Sequence, residues 1–130
     1  MTTKSDATQA GLEISDVFFP QIWSEGSSVK PHTPVPGISI WPVHGKSAMM
    51  TFVRIDPDTE MPMHNHPHEQ AGTVLEGSLT LTVGGVTRTL SYGDAYFVEP
   101  NVSHGAKAGS EGCLVIDAFS PPRDEYLRAR

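Results

Sequence analysis

Residues 79–90 leave the chain little choice of local fold. Leu79-Thr80-Leu81-Thr82-Val83 alternates apolar and polar side chains, Gly84-Gly85 follows, and Val86–Leu90 returns. A period of two places successive side chains on opposite faces of a strand. A Gly-Gly pair supplies the positive φ that a two-residue hairpin loop requires. The segment therefore reads as a β-hairpin with one face available for a core. Ile38–Val43, Ala48–Ile55, Gln70–Leu75 (ending at Glu76-Gly77), Ala95–Glu99 and Leu114–Phe119 read as further strands. Twelve glycines and eleven prolines in 130 residues enforce frequent turns. No helical apolar period persists over the roughly 10–12 residues that would define a helix. Only Pro121–Arg130 offers a helical turn. Short strands at close spacing, separated by turn residues, predict an all-β sandwich or small barrel.

The length fits one domain, and 38% hydrophobic residues suffice for a core. The expected organisation is a loosely attached arm over residues 1–15 and one domain over residues 16–130. The net charge is −6 and there is no Lys/Arg run, so neither nucleic acid nor membrane is the expected partner. Cys113 is the only cysteine; it excludes an internal disulfide and reads as a buried small hydrophobe in a reducing compartment. The N-terminus is polar, without an apolar signal core, and the longest apolar run, near Val17–Trp23, is too short to span a bilayer. A cytoplasmic location is expected.

The chemistry concentrates in His64-Asn65-His66-Pro67-His68-Glu69-Gln70, with His104 well downstream beyond the hairpin. His64, His66, Gln70 and His104 are the candidate metal ligands. Imidazole nitrogens suit first-row divalent ions such as Zn, Ni, Fe or Mn, and an amide oxygen adds a weaker, uncharged donor. His64, His66 and Gln70 share one parity in an extended segment, and so does His68. Pro67 interrupts simple alternation, which leaves His68 either at the rim of the site or among the ligands. The ordinary alternative is a set of exposed loop histidines beside prolines.

The spacing His64-x-His66-x-x-x-Gln70, then six residues to Gly77, resembles the first signature of the cupin superfamily. Gly93-Asp94, Pro100 and His104 resemble the second. The resemblance implies a double-stranded β-helix, or jelly roll, forming a small barrel around one metal ion, and commonly a homodimer. Those proteins usually carry Glu where this chain has Gln70. The ending Ile116-Asp117-Ala118-Phe119-Ser120-Pro121-Pro122-Arg123, with Pro100-Asn101-Val102-Ser103-His104-Gly105, is similar to the small single-domain cupins named for pectin degradation. That resemblance implies opening of 4,5-unsaturated uronates to linear keto-deoxyuronates. By position it assigns Asp117, Phe119 and Arg123 to the active site.

Residue chemistry bears on the same three positions. Asp117 and Phe119 lie two apart on a strand and share a face. A carboxyl facing a barrel interior is costly unless it is paired or used. Beside a metal it serves as general acid or base. Arg123 presents a planar fork that matches a carboxylate on a small-molecule substrate. The structural alternatives are an Asp117–Arg123 ion pair and a core aromatic at Phe119. Two other functions remain open on such a site: an iron-dependent dioxygenase or metal-assisted lyase, and a non-catalytic metal- or small-molecule-binding module.

Overall fold

A computed structural model describes residues 17–127 of the chain. The chain divides between Lys30 and Pro31 into two compact units. In the first, residues 17–30 run through turns; the Ser24 hydroxyl donates to the Gln21 carbonyl (2.7 Å), and the Ser27 hydroxyl accepts from the Val29 N–H (3.1 Å). The expected arm over residues 1–15 lies outside the described residues.

The second unit carries β1 (Ile38–His44), β2 (Met49–Ile55), β3 (Glu60–His64), β4 (Glu69–Val83), β5 (Val86–Ser91), β6 (Ala95–Val98) and β7 (His104–Ser120). A single 3-10 turn, Asp124–Tyr126, follows, where the sequence predicts one helical turn. All pairings are antiparallel, in the order β1-β2-β7-β4-β5, with β3 added to β7 and β6 to β4. The long strands β4 and β7 generate the jelly roll. The second half of β7 lies between β2 and the first half of β4, which also pairs β6. The first half of β7 lies between β3 and the second half of β4, which pairs β5 as the expected hairpin. Two sheets thus share two strands.

Both long strands bend at glycine. Gly77 (φ 73°) opposes Cys113, beside Gly112 (φ 76°), and the β4–β7 register slips on either side of Gly77. A Cβ on Gly77 would collide with the Gly112 carbonyl oxygen. Glu76-Gly77, expected to end a strand, instead bends a continuous one, because glycine alone tolerates that φ and that approach.

Cross-strand register arranges the barrel interior in rows. Ile40, Val53, Val115 and Val74 face one another across four strands and are all buried. Two residues further along the strands, the row reads Thr51, Asp117, Gly72 and Tyr96. The next reads Met49, Phe119, Gln70 and Val98. Side chains two apart share a face, so an apolar floor gives way to a polar layer at one end of the barrel.

Candidate metal centre and cavity

His64 closes β3 and His104 opens β7, and the two are direct cross-strand partners. His66 lies in the loop between β3 and β4. Its carbonyl accepts the Asn101 N–H at 2.8 Å, tying that loop to the turn before His104. Asn101 has φ 65°, a left-handed conformation that asparagine adopts more readily than most residues. The result brings one nitrogen from each of His64, His66 and His104 within 4.8 Å of one another.

Second partners fix these rings. His64 Nδ1 lies 2.8 Å from the Pro62 carbonyl, His104 Nδ1 lies 2.8 Å from the Val102 carbonyl, and His66 Nδ1 lies 3.0 Å from the His68 carbonyl. A carbonyl only accepts, so each Nδ1 carries the proton and each neutral ring keeps its lone pair on Nε2. His104 Nε2 is buried without a partner. His66 Nε2 lies 3.0 Å from Gln70 Oε1, lone pair facing lone pair. Burial, then the charge of Arg123 and the proximity of His104, push the His66 imidazolium down to about 4. Burial foremost also lowers His104. These are neutral donors that converge on one point. A divalent first-row ion fits them.

Gln70 also donates to the Asp117 carboxyl. Its amide oxygen faces His66. Asp117 is buried at 8% exposure. Its other partner is the Tyr96 hydroxyl, which donates to Oδ1 at 2.5 Å. Burial raises the Asp117 carboxyl to about 6, against the opposing pull of Tyr96, Gln70 and Arg123. Burial and the neighbouring Asp117 also push the Tyr96 phenol upward, so it stays a donor.

One cavity is lined by His64, His104, Gln70, Tyr96, Asp117, Phe119 and Arg123, above the aliphatic floor. Phe119 joins the core cluster while its ring edge meets His66 at 5.7 Å between centroids. The Arg123 guanidinium lies over Phe119 and Tyr126, 5.3 and 4.7 Å from their centroids. It pairs with Glu125 at 2.8 Å, and its Nε is buried without a partner. An Asp117–Arg123 ion pair is therefore replaced by two separate arrangements. His68 enters through its backbone carbonyl, and its ring stacks edge-on to His66 at 5.3 Å. Sequence reasoning missed Tyr96. Its signal is indirect: Gly72, opposite both Tyr96 and Asp117, has no side chain, and a Cβ there would collide with Asp117 Oδ1 and the Tyr96 hydroxyl.

A cupin domain description fits residues 51–119, which include all of these cavity residues except Arg123. The chain belongs to the cupin family. It is 40% identical over 65 residues to the pectin degradation protein KdgF of Dickeya dadantii (strain 3937), covering 49% of this chain and 59% of that protein. It thus spans less than two thirds of that curated relative. The structure of KdgF from Halomonas sp. is 36% identical with a TM-score of 0.71, over 75% of this chain and 91% of that one. An RmlC-like cupin from Shewanella frigidimarina NCIMB 400 is 30% identical with a TM-score of 0.73, over 84% and 98%. The cupin jelly roll and the likeness to pectin-degradation cupins, both expected from the two signatures and the ending, are borne out. Among the described residues no helix is long and apolar enough to cross a membrane.

Proposed function

We propose that this chain is a metal-dependent enzyme that opens 4,5-unsaturated uronates to linear keto-deoxyuronates. One observation carries the reading: a buried carboxyl, Asp117, shares a cavity with an arginine and with His64 and His104, two of the three converging histidines. The likeness to proteins named for pectin degradation supplies the substrate class.

His64, His66 and His104 would hold the ion, with Gln70 as a neutral fourth donor. When bound, a divalent ion supplies Lewis acidity toward a substrate oxygen. Arg123 binds the uronate carboxylate through its planar fork, in exchange for its exposed partner Glu125. Phe119 packs against the sugar face. Asp117, raised toward neutrality by burial, accepts the anomeric hydroxyl proton as the C1–O5 bond breaks and C1 becomes an aldehyde. The ring oxygen remains on C5 as an enolate. Return of the proton to C4 yields the ketone, so the reaction is an isomerisation with no net loss of atoms.

The test is a time course with 4,5-unsaturated galacturonate, following loss of the conjugated double bond in the ultraviolet against the spontaneous rate. Chelator-sensitive acceleration that Asp117→Asn abolishes, with metal content unchanged, is expected. No acceleration by metal-replete protein would reject this substrate. Turnover unchanged in Asp117→Asn would reject the assigned acid/base.

A further inference from the structure

The polar layer contains one member that neither the two cupin signatures nor the proposed mechanism requires. Tyr96 stands on β6, a strand of only four residues at the edge of its sheet. Its neighbours Ala95 and Phe97 point outward and are exposed, while the Tyr96 ring turns into the cavity. The hydroxyl reaches across β4 to Oδ1 of Asp117 on β7 at 2.5 Å. The only strand between them is at its narrowest there, because Gly72 is their common cross-strand neighbour. A methyl group at Gly72 would overlap both partners. The missing side chain therefore makes the contact possible.

Asp117 has a second tie, the Gln70 amide. Gln70 in turn faces His66 Nε2 at 3.0 Å. A continuous chain thus runs from the phenol through the carboxyl and the amide to the histidine cluster. Each link fixes the next: Tyr96 fixes the rotation of the carboxyl, and the carboxyl fixes which end of the amide faces His66. Rings locked by packing and partners locked by hydrogen bonds are what hold a reacting group within its productive geometry. An unpaired buried carboxyl would have other rotamers available and no reason to stay beside Gln70.

We propose that Tyr96, seated in the space left by Gly72, is a positioning residue for Asp117. It fixes the carboxyl in the cavity without itself touching substrate. The inference rests on the acid/base role given to Asp117 above.

Tyr96→Phe keeps the ring and removes the donor. A hydrogen bond to a charged group is strong enough that its loss corresponds to a fall in kcat of roughly 10- to 100-fold. KM and metal stoichiometry are expected to stay within about twofold, since neither Arg123 nor the histidines is touched. A merely structural tyrosine would lower the melting temperature and leave kcat per folded molecule unchanged, and that result overturns the proposal. Gly72→Ala supplies a second route: it keeps the phenol but forces the pair apart, and the same selective loss of kcat is expected. If Tyr96→Phe does not fold, unchanged kcat in Gly72→Ala overturns the proposal. A crystal structure of Tyr96→Phe separates this idea from the substrate assignment. Asp117 rotated away from Gln70 upholds the positioning role even if the uronate proves not to be the substrate. Asp117 unmoved overturns it.

Discussion

Asp117→Asn tests the burial of the carboxyl independently of catalysis. The carboxyl titrates at about 6 in the fold against 3.8 for its ordinary value, chiefly through burial. A folded-state value raised above the unfolded one means that the native state binds the proton more tightly. Its stabilising contribution is complete below 3.8 and is lost as pH rises through about 6. The displacement corresponds to about 3 kcal/mol. Asparagine keeps the shape and cannot ionise, so it lacks this dependence. Urea unfolding of the metal-free wild type and variant, at steps from about pH 4 to about pH 7.5, reads the difference directly. His66 acts in the opposite sense. Its lowered value gives stability that is present above 6.5 and lost as pH falls through about 4. That contribution is common to both proteins and cancels in the comparison. The variant should therefore gain about 2.4 kcal/mol relative to wild type between the acid and neutral ends of that range. A difference that does not change with pH, or that moves the other way, would refute the claim that this carboxyl is desolvated.

Three further perturbations address the centre, the cavity and the fold. His104→Ala removes a buried donor and its unpartnered Nε2; metal affinity, measured by competition with a chromogenic chelator, should fall at least roughly tenfold. Arg123→Gln should raise KM for the unsaturated uronate by roughly 10- to 100-fold with a smaller effect on kcat. Arg123→Lys should recover little of it, because an ammonium cannot reproduce the fork or the stacking on Phe119 and Tyr126. Gly77→Ala places a Cβ against the Gly112 carbonyl at φ 73°. Chemical denaturation should show a loss of at least about 2 kcal/mol, the sum of a left-handed backbone and an overlap with main chain.

Legibility in the sequence followed the strength of local signals. The hairpin β4–β5 was plain because alternation and Gly84-Gly85 specify it without help from the rest of the chain. The first half of β7 was not, since Gly105-Ala106-Lys107-Ala108-Gly109 lacks the branched and aromatic residues that mark a strand. It is extended because β3 and β4 flank it on both sides. β3 was hidden by Pro62, tolerated on a strand that pairs on one side only. Within the site, the four candidate ligands were visible as spaced side chains. Parity alone kept His68 level with them, and only the loop geometry separates its carbonyl, which binds His66, from its ring. Tyr96 was invisible because its role depends on register: Tyr96, Gly72 and Asp117 are far apart in sequence and become neighbours only when β6, β4 and β7 align.

The same register explains why an amide suits position 70. Gln70 and Asp117 occupy adjacent rows on adjacent strands, and their side chains meet. Two carboxylates at that distance would repel, and one would be forced to take up a proton. A glutamine avoids the conflict because it has both polarities. Its NH2 group satisfies the buried Asp117, and its oxygen is left for the histidine cluster. The carboxyl therefore stays outside the donor set, one hydrogen bond away from it, and keeps a proton affinity set chiefly by burial and by Tyr96, Gln70 and Arg123. If three neutral imidazoles and the Gln70 amide held an ion as proposed, none of its charge would be cancelled by these donors, which would favour polarisation of a substrate oxygen. A carboxylate at position 70 would bind an ion more tightly and weaken both properties together. On the proposed reading, separating the negative charge from the donor set by a single amide would let one small cavity hold a Lewis acid and a free acid/base side by side.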